Sequence, residues 1–168
     1  MGKNKKYAGI GSRKTPTDVL QTMTQIAREL DSIGYTLRSG GAPGADLAFE
    51  SGSTEKEIYL PWPNFNANES VLHTVCDESL KMAARYHPAW CKLSQPARKL
   101  MARNCYQVLG PSLNEPVKFV VCWTPEGRSV GGTAQAIRIA KDWKIPVFNL
   151  YKYKAHDVLA FAGKNALF

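Results

Sequence analysis

A chain of 168 residues, 44% of them hydrophobic, has the length of one ordinary domain and enough apolar content to bury a core of its own. Its formal charge of +8 points to anionic partners, and no stretch approaches the roughly 18 consecutive apolar residues of a membrane span. The first ten residues hold three lysines and no apolar run of signal length, and Lys6 defeats a myristoylation reading of Gly2, so a cytoplasmic protein is expected.

"KKYAGIG" reads as a first strand ended by glycine, and "SRKTPT" supplies turn and cap residues. Val19, Met23, Ile26, Leu30 and Ile33 recur at spacings of four, three, four and three. That places them on one face of a helix starting at Pro16 or Thr17 and stopping at Gly34. "YTLRS" is a second strand, "GADLAFESG" a helix and "KEIYLP" a third strand ended by Pro61. The loop "PWPNFNAN" leads to helices expected over Glu69 to Tyr86 and Gln95 to Leu109, with "HPAWCKLS" between them. "VKFVVCW" is a fully apolar strand, "TPEGRSVGG" a long loop, Thr133 to Trp143 a helix, "IPVFNL" a last strand and "AHDVLAFAG" a closing helix. Strands alternating with helices imply an α/β, Rossmann-like architecture: a mainly parallel sheet with helices on both faces, in a single domain over 1–168.

The cysteines, Cys76, Cys91, Cys105 and Cys122, form no CxxC pair and suit buried free thiols in a reducing compartment. His73-x2-Cys76 and His87-x3-Cys91 have spacings compatible with zinc, but thiols packed on apolar helix faces are the preferred reading, and no metal or other cofactor is required. Between Ser79 and Asn114 there is no Asp or Glu, whereas Lys81, Arg85, Lys92, Arg98, Lys99 and Arg103 fall there with Tyr86, His87 and Trp90. Basic residues interleaved with aromatics suit contact with single-stranded nucleic acid; a solvated helix surface is the plainer alternative.

In a parallel sheet, ligands bind where strands run into loops and helix N-termini at the carboxyl edge. Three such crossings are glycine-rich: Gly9 to Arg13, Ser39 to Gly44, and Gly127 to Thr133. Glycine lets the backbone approach a ligand closely, and the amides of the following helix then face an anion. Ser12, Ser39 and Thr133 add hydroxyls, and Arg13, Arg38 and Arg128 add positive charge. Short turns need glycine in any case, but three such loops on one edge favour an anionic ligand such as a nucleotide phosphate. Trp62 and Trp123 follow two of the strands, where they either stack on a base or simply pack.

"GIGSR", "SGGAPGAD", "ARN" at Ala102 to Asn104, and "GGT" leading into a helix resemble the Rossmann-like domain of the DNA-processing protein DprA (Smf) family. That family lies within the wider SLOG superfamily, which also holds the lonely-guy (LOG) phosphoribohydrolases. The resemblance runs from about Tyr7 to Leu150. It implies that Gly11, Ser12 and Arg13 line a first phosphate loop, Ser39 to Asp46 with Gly40, Gly41 and Gly44 a second, and Gly131, Gly132 and Thr133 a third, with Arg103 and Asn104 brought in from the preceding helix. DprA proteins usually carry further domains, so a stand-alone module is expected here. The LOG enzymes use a "PGGxGTxxE"-type motif, and Gln135 and Ala136 stand where glutamates would follow.

Three functions follow as expectations. The first is a module that binds a nucleotide or nucleotide-derived phosphate ligand through the three loops. The second is an N-glycosidic hydrolase of nucleoside monophosphates, for which Asp46, Glu50 and Glu126 are the candidate carboxylates. For Asp46 a helix-start carboxylate satisfying backbone amides is the preferred reading, and Glu50 could equally be a solvated helix residue. The third is a single-stranded DNA binder, which favours a homodimer that lengthens the groove.

Overall fold

The computed structural model describes residues 5–166, so Gly2 and the reading made of it lie outside the described residues. Among the described residues five strands form one sheet: β1 (Lys6–Gly9), β2 (Thr36–Ser39), β3 (Lys56–Ile58), β4 (Val120–Cys122) and β5 (Val147–Asn149). Their order is β3-β2-β1-β4-β5, and every neighbouring pair is parallel, as the alternation of elements predicts. Parallel strands need crossovers, and among the described residues six α-helices accompany them: α1 (Thr17–Ser32), α2 (Ala45–Ser51), α3 (Asp77–Tyr86), α4 (Gln95–Leu109), α5 (Gly131–Asp142) and α6 (Ala155–Ala166).

The sheet separates two apolar cores because successive side chains on a strand point to opposite faces. Tyr7, Leu37, Phe119 and Val121 pack with Met23, Ile26 and Leu30 of α1, Phe49 of α2, and Val158 and Ala162 of α6. Ala8, Ile10, Val120 and Cys122 point the other way, onto Ala102, Cys105 and Leu109 of α4 and Ile137, Ile139 and Ala140 of α5. Tyr7 stacks on Phe119 at 5.7 Å between ring centroids, and Tyr35 meets the same Phe119 edge-on at 5.5 Å, so aromatic rings fill the first core. Helix α1 buries Met23, Ile26 and Leu30 of the predicted stripe and is preceded by Pro16, as the sequence implies, whereas Val19 is half-buried and Ile33 follows the last helical residue and is exposed.

Two expectations need correction. The helix expected from Glu69 begins only at Asp77. Before it, the Ser70 amide donates to the Asn68 carboxamide, the Ser70 hydroxyl donates to the Ile58 carbonyl, and the Leu60 amide donates to the Leu72 carbonyl. Those bonds tie residues 68–72 to the end of β3, and a helix there would break them. The cysteines are not all buried: Cys105 and Cys122 are, Cys76 is half-buried, and Cys91 is exposed in the 3-10 turn Trp90–Lys92. No group of three or more His, Cys, Asp or Glu placed to hold a metal occurs among the described residues. No helix among them is long and apolar enough to cross a membrane.

Candidate functional site

Strand β1 lies between β2 and β4. The chain leaves β1 toward α1 and leaves β4 toward α5, helices on opposite faces of the sheet, so the two loops part and open a crevice at this switch point. A cavity of 490 Å³ occupies it. Its walls are the loop from Ile10 to Lys14, Ala42 and Asp46 at the start of α2, one face of α4, and the stretch from Pro125 through the first turn of α5.

Helix α4 supplies the polar wall. Leu100, Arg103, Asn104 and Gln107 all border the cavity, and their spacing of three, four and seven puts them on one helical face. Arg103 is buried; its Nη1 donates to the carbonyls of Gly40 and Tyr59 (3.2 Å for the latter), and its Nε donates to the Asn104 side-chain oxygen at 3.0 Å. The Asn104 amide then donates to the Gly132 carbonyl at 3.0 Å, which ties α4 to the start of α5. Helix α5 itself begins after Val130 with no side-chain cap, so its first amides are left for whatever enters the cavity.

Asp46 sits in the first turn of α2, buried to 4% exposure, and accepts from the Ala42 amide at 3.2 Å. Burial raises its pKa to about 6, against the opposing pull of the Arg103 charge and the amides of Ala42 and Gly40. Burial also lowers Arg103 to about 10; Asp46 works against that shift, and the like charge of Arg13 adds to it. The site therefore holds a buried acid and a buried base that oppose each other's burial cost, under a second, exposed guanidinium.

The residues singled out in the sequence fall into separate groups. Gly11, Ser12, Arg13, Asp46, Arg103, Asn104, Gly131, Gly132 and Thr133 border the cavity together. Gly40, Gly41 and Gly44 do not border it. A Cβ on Gly40 would lie 2.2 Å from Gln107 Nε2, and Gly44 adopts φ +88, a conformation that favours glycine, against the backbone of Arg13. The Gly41 carbonyl accepts from Asn66 at 3.0 Å. Ser39 is fully buried, and its hydroxyl donates to the Gly9 carbonyl at 2.6 Å.

Glu50 lies outside the cavity with Asn68 (3.1 Å) and Lys56 (3.5 Å), while Glu126 pairs with Arg128 on the surface at 2.8 Å. Arg38, grouped with the loop charges in the sequence, is spent inside the fold: Nε donates to Glu57 at 2.7 Å and Nη1 to the Glu115 carbonyl at 2.7 Å. Neither Trp62 nor Trp123 borders the cavity. Lys14 and Gln107 do, and the sequence reading passed over both. Gln107 was reachable through its spacing from Arg103 and Asn104.

Sheet order, crossovers and a cavity at the switch point together define a Rossmann-like α/β protein of DprA-like fold. Among solved structures, the chain is similar to DNA processing protein A from Helicobacter pylori, a protein with a single-stranded DNA binding mode. The TM-score is 0.57 at 20% identity, over 96% of this chain and 74% of that one. No family model matches the chain, and no curated protein sequence does.

Proposed function

We propose that the chain binds a nucleotide or nucleotide-derived ligand in the switch-point cavity, with the phosphate at the uncapped start of α5. The carrying observation is the meeting of that helix start with Arg13, Lys14 and the buried Arg103 around one cavity. Helix amides and arginines both favour an anion, and a volume of 490 Å³ suits a small molecule. Ser12 and Thr133 bring hydroxyls to the same cavity. Calorimetry with AMP and with inorganic phosphate tests the reading. Removing one charge-assisted contact by Arg13→Ala is expected to weaken binding about tenfold or more. Equal affinity in wild type and variant would remove the phosphate end of the site.

A second reading, binding of single-stranded DNA, is favoured by the similarity to the Helicobacter pylori protein and by the exposed Lys81, Arg85, Lys92 and Lys99. Helix α3 packs on α4, which brings the elements carrying Lys81, Arg85 and Lys99 side by side. Arg103 does not join them, because it turns inward to the cavity.

A further inference from the structure

Gln107 borders the cavity, is 3% exposed, and its carboxamide has no hydrogen-bond partner among the described residues. Its neighbours on the same face of α4 differ: Arg103 spends Nε and Nη1 on protein acceptors, and both Asn104 side-chain atoms are bonded. Neither amide atom is among the buried, unpartnered polar atoms of the described residues, so the carboxamide reaches the open space of the cavity, where a ligand or water can bond it. The close approach of Gly40, where a Cβ would meet both Gln107 Nε2 and Arg103 Nη1, leaves room for the amide at the cavity wall.

We infer that Gln107 is the specificity-determining residue that reads the nucleobase of a nucleotide held in this cavity, an inference that rests on the reading of the cavity as a nucleotide site. Arg103 stands beside Gln107 against Gly40 with its Nε and Nη1 already bonded to the protein, which leaves the Gln107 carboxamide unbonded in a cavity that has room for a base as well as a phosphate. Ile10, Leu100, Met101 and Ala136 give the cavity apolar walls, whereas Arg13, Lys14 and the start of α5 supply its cationic and amide groups. A phosphate is polar on every side and a sugar carries hydroxyls around its rim. A base has apolar faces and a polar edge, which fits a cavity whose lining includes apolar side chains and one unbonded carboxamide. A glutamine amide sets a donor beside an acceptor in one plane, the complement of an edge such as N6 and N7 of adenine.

The test measures affinities of the full chain for AMP, GMP, CMP, UMP and ribose 5-phosphate by calorimetry. At least one nucleotide is expected to bind about tenfold more tightly than ribose 5-phosphate. Gln107→Met, which keeps the volume and removes the amide, is expected to bring that ratio close to one. Gln107→Glu, which replaces the donor by a second acceptor, is expected to change the ranking of the four bases. The inference is overturned if ribose 5-phosphate binds wild type as tightly as every nucleotide, or if Gln107→Met keeps the wild-type preference. Should neither ribose 5-phosphate nor any nucleotide bind, the reading of the cavity as a phosphate site falls, and this inference with it.

Discussion

Burial makes Asp46 keep its proton to a higher pH than it would in the unfolded chain, against the pull of Arg103 and the amides of Ala42 and Gly40. The native state therefore binds the proton more tightly than the unfolded state, whose value lies near 3.8. Asp46 costs no stability below that value, and the cost appears as pH rises through about 6. Asp46→Asn removes the titration, so the stability of the variant relative to wild type should rise between pH 4 and pH 7, by on the order of 3 kcal/mol at most. Urea melts of both proteins across that range measure the difference, and parallel pH profiles would show that the native carboxyl is not held protonated. A group that exchanges its proton near pH 6 also has the acidity an acid or base in glycosidic cleavage needs, and release of free base from a nucleoside monophosphate would be the sign of it. Asp46, Arg103 and Asn104 were legible in the sequence because motif and chemistry coincide at them. Ser39 and Arg38 show the limit of such reading: hydroxyl and guanidinium looked available, yet their partners Gly9, Glu57 and Glu115 lie far away along the chain.

Helices α1 and α2 touch at Gly52, where a Cβ would lie 2.4 Å from the Thr24 carbonyl oxygen. Backbone cannot swing aside as a side chain can, so Gly52→Ala must push α2 away from α1. The expected loss is about 1–3 kcal/mol, the usual cost of overpacking. Gly163 in α6 is the counterpart, since nothing lies within 4 Å of a Cβ there. Gly163→Ala should stabilise the protein by about 0.5–1 kcal/mol through helix propensity alone. Thermal melts of the two variants should move in opposite directions, and a loss of stability on Gly163→Ala would contradict the open space around it. Local signals decided most elements correctly: the spacing in α1, Pro16 before it, and the apolar run of β4. They failed at residues 69–76, where Val71, Leu72 and Val75 imitate a helical face. The bonds that hold this stretch out of a helix run to Ile58 and Leu60, and periodicity within the segment carries no record of them. Helix α5 starts at Gly131, two residues before the expected Thr133, because glycine marks a loop in sequence terms while an uncapped helix start accepts it.

Across the molecule, one crossover to each side of the sheet creates the crevice, and the composition sets what is drawn to it. A net charge of +8 attracts polyanions at long range whichever residues finally touch them. The two readings of function place the phosphate contacts differently. A small nucleotide uses Arg13 and the start of α5, whereas a single strand must also pass exposed lysines outside the cavity. Salt dependence separates the two, since each phosphate contact on a single strand contributes about 0.7 to the slope of log affinity against log salt. For binding of an oligothymidylate, replacing Lys81 and Lys99 by alanine is expected to reduce that slope by about 1.4 if both residues contact the strand. Arg13→Ala is expected to reduce it by a further 0.7, roughly, only if the strand places one of its phosphates in the cavity. A slope unchanged by the lysine substitutions puts the strand elsewhere on the surface. A slope that responds to the lysines but not to Arg13 leaves the cavity to a separate small ligand, and the protein then has two anion sites rather than one.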